Sequence, residues 1–445
     1  MAMKMEQSAA GSRLRDIIRR NRAGERCGIY SICSAHPSVI HAGLQQAVDD
    51  SSLLLIESTS SQVNQFGGYT GQTPEQFAHN VRSTAQAAGI AADASILGGD
   101  HLGPYPWRNE PSEIALQKAC DLVRACVAAG YQKIHLDASM ACADDTGSGL
   151  AEETIAERAA LLCRAAENAH EELPRESPPP LYVVGSEVPT PGGETKEGEP
   201  PAVTTVAQLQ HTLETLRAAF DRQDLSDAWE RVIGVVVQPG VEFGDKVIFA
   251  YDPGKAQALS AALPHHPCLV YEAHSTDYQL PASLSQMVQD HFAILKVGPA
   301  LTFAYREAIF ALTAMEREYC RGKHGLRLSQ VPEVLDAAML RNPSHWRSYY
   351  HGSEEEQRLA RAFSFSDRCR YYWSDSGVQQ EIGRLIANLS GLPLPLPLVS
   401  QYLPLAYAAI RAGHLLPDPS SMVQHQVRSV LQAYAAACGT LPREH

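Results

Sequence analysis

The sequence predicts one closed barrel of eight parallel strands, each followed by a helix, with a helical extension behind it. Eight short apolar runs, each ending in polar residues, alternate with stretches of helical periodicity. The runs are continuously β-branched and apolar, as strands buried on both faces require. From about residue 301 the pattern turns helical and stays so, which separates a barrel over 1–300 from a last barrel helix plus helical C-terminal extension over 301–445.

The elements follow in order. The opening stretch MAMKMEQSAAGSRLRDIIRRNRAG is polar and amphipathic and lacks the apolar core of a signal peptide. Its arginines resemble those of a transit peptide, but an N-terminal barrel helix is the simpler reading. The strand runs are GIYSICS (28–34), LLLIEST (53–59), SILGGDHLG (95–103) and KIHLDAS (133–139). They continue with LYVVGSEVP (181–189), VIGVVVQPG (232–240), CLVYEAHS (268–275) and AILKVGPA (293–300). Helical spacing fills the intervals, and Gly89 and Gly130 stand where C-cap glycines end helices. A doubly wound open sheet is the alternative, but the turn after the first strand reads SAHPSV where that fold places a Gly-rich turn. FGGYTGQTP after the second strand and PTPGGETKEGEPPAV after the fifth are loops of the kind that form or cover barrel sites. The segment GLPLPLPLVSQYLP (391–404) carries many prolines and is expected to be an extended strap.

Composition narrows the function. The chain has 445 residues, 44% of them hydrophobic, and a formal net charge of -13, which argues against a nucleic-acid surface. It still permits local phosphate binding through backbone amides and a few cations. No apolar run is long enough to span a membrane. Ten cysteines without a CxxC pair point to buried thiols of a reducing, cytoplasmic compartment.

In such barrels the polar groups at C-terminal strand ends face the active site. Here they are Glu57, Asp100, His101, Asp137, Glu187, Gln238, His274 and Lys296. Imidazole and carboxylate donors suit a divalent metal such as Zn2+, and His101, Glu187 and His274 are the expected ligands. Glu57 and Asp137 would orient those ligands or move protons, and Gln238 would bond substrate or a loop backbone. A phosphate is expected after the seventh and eighth strands, at Ser275, Lys296 and the Gly298 turn, with Arg368 and Arg370 reaching over the mouth.

At these residues the chain resembles a known family over almost its whole length. The matching stretches include LLIESTSSQVNQFGGYTG, ILGGDHLGP, KIHLDASMACADD, GSEVPTPGGE, YEAHSTDYQ and LKVGPALTFAYREA. They are similar to the non-catalytic, or Z, subunit of class II D-tagatose-1,6-bisphosphate aldolase, a family also named tagatose-6-phosphate kinase. The resemblance implies a class II aldolase catalytic subunit as partner. Asp100-His101 looks like the Asp-His pair of the catalytic aldolases, in which the His binds zinc and the Asp handles the C4 hydroxyl proton. His274 also falls where those enzymes place a ligand. Gln238 stands where their remaining histidine would be, so Glu187 would substitute. Related barrels are similar to ketohexose-phosphate 4-epimerases.

Two functions follow as expectations. The first is metal-dependent retro-aldol and aldol chemistry at C3–C4 of a ketohexose phosphate such as tagatose 6-phosphate, as 4-epimerase or tagatose-bisphosphate aldolase. Asp100 would be the general base there, with Glu57 or Asp137 shuttling a second proton. The second is a catalytically silent subunit that stabilises an aldolase partner. Kinase activity is not expected, because no GxxxxGK[ST] loop is present.

Overall fold

The structure is a computed structural model that describes residues 9–91, 94–146, 149–185, 200–263, 269–322 and 325–440. Eight parallel strands close into a barrel: Ile29–Cys33, Leu54–Thr59, Ser95–Leu102, Lys133–Leu136, Leu181–Val184, Val232–Val236, Val270–Ala273 and Ile294–Val297. Each pairs with its sequence neighbour, and Ile29 to Ile32 pair with Ile294 to Val297 to close the ring. The eight predicted runs are these strands. A two-stranded hairpin, Glu242–Phe243 with Ile248–Phe249, lies outside the barrel in the loop after the sixth strand.

The interior is divided by chemistry. Its lower part is apolar: Leu55, Ile96, Val183, Val270 and Ile294 form one cluster with Ala10, Leu14 and Ile18 of helix Ala9–Arg22. The opening helix is therefore a plug for the N-terminal end of the barrel, and its arginine-rich face is what remains outside. The upper interior is ionic, which is unusual for barrels whose layers are filled by Val, Ile and Leu.

The extension packs back onto the barrel. Helix Pro419–Ala437 lies against helices Pro37–Asp50, Pro281–Gln289 and Pro299–Tyr319, and Tyr434 Oη donates to the Thr276 carbonyl at 2.8 Å. One hydrophobic cluster runs through barrel helices and extension alike. The Pro-rich segment departs from the expected strap: it forms helices Leu396–Tyr402 and Pro404–Arg411. Pro397 and Pro404 sit in first turns, where the missing N–H has no partner to lose and the fixed φ suits the helix. No disulfide links the nine described cysteines. Among the described residues no helix is long and apolar enough to cross a membrane.

Candidate active site

Strand register builds the ionic layer. Glu57, Gly98 and Lys133 are laterally paired on three adjacent strands. A Cβ at Gly98 would stand 2.8 Å from Glu57 Cγ, so glycine is what lets the glutamate lie across the barrel interior. There Glu57 meets Lys133 Nζ at 2.5 Å and also pairs with Lys296. Glu272 on the seventh strand lies 2.7 Å from Lys133 and 3.6 Å from Lys296. Lys296 is in turn 2.9 Å from Asp100 Oδ1. All five groups are buried, and burial of charges is tolerable only when they are paired at this quality.

Above this layer three imidazoles converge. In a regular strand Asp100 and His101 would point to opposite faces. The register against the fourth strand shifts between Gly99 and Leu102, and His101 adopts a left-handed φ of 47°. This bulge turns both consecutive side chains toward the mouth, a device by which strands re-aim a residue at a site. Ser275, beside His274, is also left-handed, with φ 52°.

One nitrogen of each imidazole is held by an acceptor. His101 Nδ1 donates to Asp137 Oδ2 at 2.6 Å, His135 Nε2 to the Gly185 carbonyl at 3.0 Å, and His274 Nε2 to Glu272 Oε1 at 3.0 Å. Asp137 is fixed in turn by Ser139, whose backbone N–H and hydroxyl both donate to its Oδ1. The ring centroids lie 4.7–5.3 Å apart, and Asp100, His101, His135 and His274 each bring one donor atom within 4.8 Å of the others.

This donor set fits a divalent cation. His135 Nδ1 lies 3.2 Å from the His101 backbone nitrogen and 3.1 Å from Asp100 Oδ1, so ring and carboxylate converge on the same point. Around the site four carboxylates, Glu57, Asp100, Asp137 and Glu272, face two ammonium groups, Lys133 and Lys296. A divalent ion would offset that excess of two negative charges. Imidazoles oriented by carboxylates or carbonyls through the remote nitrogen are the usual support of such ions.

Charges follow the same geometry. Burial alone would raise the Asp100 carboxyl, but His101, the hydrogen bond with His135 and the other imidazoles hold it well below the usual carboxylate range. Burial acts in the same sense on Asp137, and the His101 hydrogen bond overrides it. Burial lowers His274 despite Glu272, which favours its neutral, ligating form. Burial also lowers Lys296, to about 8.

The other residues expected from sequence divide. Glu187 lies outside the described residues. Gln238 Oε1 accepts the backbone N–H of Gly240 and Val241 and so folds its own loop. Ser275 Oγ donates to Glu242 at 3.2 Å. Gly298 N–H and Ala300 N–H, at the start of helix Pro299–Tyr319, both donate to Asp277 Oδ1. Arg368 lies over the Tyr349 ring and donates to the His345 carbonyl. Arg370 reaches the barrel mouth from the short 3-10 helix Arg368–Tyr372. Sequence reasoning passed over His135, Lys133 and Glu272. Each stands at alternate positions with a residue it did single out, as in Lys133-His135-Asp137 and Glu272-His274, and that period-two polarity is the signal that marks them.

A family model described as D-tagatose-1,6-bisphosphate aldolase subunit GatZ/KbaZ-like matches residues 14–439. The chain belongs to this family. Among solved structures, a probable tagatose 6 phosphate kinase from Sinorhizobium meliloti 1021 is 43% identical, with a TM-score of 0.84, and the match covers 92% of this chain and 100% of that one. The GatZ/KbaZ-like barrel is also similar to a fructose-bisphosphate aldolase from Campylobacter jejuni, at 14% identity and TM-score 0.45 over 87% of this chain and 96% of that one. The YdjI aldolase from Escherichia coli K12 gives 12% and 0.43 over 81% and 94%. Likeness at those last two levels carries no inference about chemistry.

Proposed function

We propose that this GatZ/KbaZ-like chain is itself a metal-dependent enzyme that breaks and remakes the C3–C4 bond of a ketohexose phosphate. The 4-epimerisation of tagatose 6-phosphate is the reaction we favour. The observation that carries this reading is the convergence of His101, His135 and His274 beside Asp100, each ring oriented by its own acceptor. A purely structural role gives no reason to gather three imidazoles over a buried ionic layer.

The three histidines would hold a divalent ion, of which Zn2+ suits the donor set best. When bound, the ion supplies Lewis acidity for the negative charge that develops beside the C2 carbonyl. Asp100, kept ionised, accepts the C4 hydroxyl proton while the C3–C4 electron pair passes to C3 and C4 becomes an aldehyde. Return of that proton, with C3 attacking the other face of the aldehyde, gives the C4 epimer. Asp137 holds His101 in one tautomer throughout. Glu57 is tied to Lys133 and Lys296, and that pairing keeps Asp100 beside a fixed positive charge. Lys296 therefore serves the base from below.

Membership of an aldolase-subunit family favours a second reading: a companion that stabilises a catalytic class II aldolase. Incubation of the isolated chain with tagatose 6-phosphate, fructose 6-phosphate and tagatose 1,6-bisphosphate separates the two. Chelator-sensitive interconversion of the monophosphates is the expected result. An inert chain that raises the activity or stability of an aldolase partner would replace the first reading with the second. The kinase name of the similar structure predicts consumption of ATP, for which the sequence carries no GxxxxGK[ST] loop.

A further inference from the structure

Beside the imidazole cluster, between the ends of the first, second and eighth strands and the extension, lies a cavity of about 310 Å3. That is near the lower end of small-molecule sites. Its walls include Cys33, His36, Gln62, Tyr69, Thr302 and Arg370. Cys33 joins it to the ionic layer, since its Sγ lies within 4.8 Å of donor oxygens of Glu57 and Asp100. Among the described residues lining it, Arg370 is the one formal cation and no carboxylate occurs, in a chain whose net charge is -13. The guanidinium is fixed in place by the Ser366 carbonyl and by Tyr371 Oη at 3.0 Å. Helix Pro37–Asp50 starts on the same wall without a side-chain cap, and its N-cap His36 has a buried Nδ1 that lacks a hydrogen-bond partner.

The neighbouring helix start is closed. Asp277 is buried and its Oδ1 accepts from Gly298 N at 3.0 Å and Ala300 N at 2.8 Å, the amides a phosphate after the eighth strand would use. A phosphate arriving there would meet a carboxylate in its place.

We propose that the cavity seats the single phosphate of a sugar monophosphate against Arg370 and the start of helix Pro37–Asp50, while Asp277 bars a second phosphate from helix Pro299–Tyr319. This rests on the sugar-phosphate reading above and deepens it: the chain selects monophosphates over bisphosphates. Titration calorimetry of the metal-free full chain with inorganic phosphate tests it. One saturable site is expected, weakened roughly tenfold or more in Arg370→Gln, the loss of a charge-assisted contact. Because Arg370 also braces its own turn, Ser374→Asp is the second variant; it brings a carboxylate to an exposed position on the cavity wall and is expected to weaken phosphate binding as well. Tagatose 6-phosphate should compete for this site, and tagatose 1,6-bisphosphate should bind more weakly than the monophosphate. Phosphate binding that neither variant alters, or a bisphosphate bound tighter than the monophosphate, would overturn the proposal. The readout uses no metal and no turnover. Phosphate binding at Arg370 in a chain that interconverts no sugar would count against the catalytic reading alone.

Discussion

At the scale of single residues, the site is organised by pairs in which one group fixes the chemistry of another. Asp137 touches His101 and holds its Nδ1 proton, so Asp137→Asn should lower metal affinity by about 10–100-fold, read by competition with a chromophoric chelator. Asp100→Asn should keep the ion yet lose about 10²–10⁴-fold in sugar interconversion, the usual contribution of a placed general base. Equal loss of metal in both variants would make Asp100 a ligand of the ion beside the three histidines. Asp100, His101 and His274 were legible because they end apolar runs. His135 was not, because it sits inside one, and a buried polar residue within a strand is visible in sequence only through its alternation with Lys133 and Asp137. Lys296 and Gly298 were legible as positions but not in their partners. The carboxylate of Asp277, which engages the Gly298 amide, comes from a different strand end.

At the scale of elements, the third strand does most to position the site. Its GGDHLG sequence combines a glycine that clears space for Glu57 with a bulge that aims Asp100 and His101 together. Gly98→Ala should cost about 1–3 kcal/mol of stability through overpacking against Glu57, seen as a lowered Tm. The turn into helix Pro299–Tyr319 carries a pH dependence. Burial pushes the Asp277 carboxyl up to about 6, against the lowering effect of the Ala300 and Gly298 amides. A raised carboxyl favours the protonated form of the folded state, so this contribution is present below about pH 4 and lost as pH rises through about 6. The Tm of the wild type relative to Asp277→Asn should therefore fall between pH 4 and pH 6. A flat difference would show that Asp277 is not buried as described. Sequence anticipated the strands well because continuous apolar runs leave few other folds. It misjudged the Pro-rich segment because a proline's effect depends on whether it stands in a helix interior or a first turn.

At the scale of the whole molecule, the barrel is sealed below by its first helix, lined with charge above, and partly covered by the extension. Tyr69 of the second-strand loop packs against Tyr371 at 4.7 Å, so the extension helps to wall the mouth. The family and the barrel were legible from long matching stretches; the way the extension returns to the mouth depends on tertiary packing that no local pattern encodes. The central claim is that His101, His135 and His274 hold one divalent ion for catalysis. The direct test is the metal content of the purified chain, wild type beside His135→Ala, with sugar-phosphate interconversion measured on the same samples. About one ion per wild-type chain, lost together with activity in His135→Ala while the fold is retained, is the result predicted here. A wild type that takes up no ion when zinc is supplied, or a His135→Ala variant that keeps both ion and activity, would contradict it.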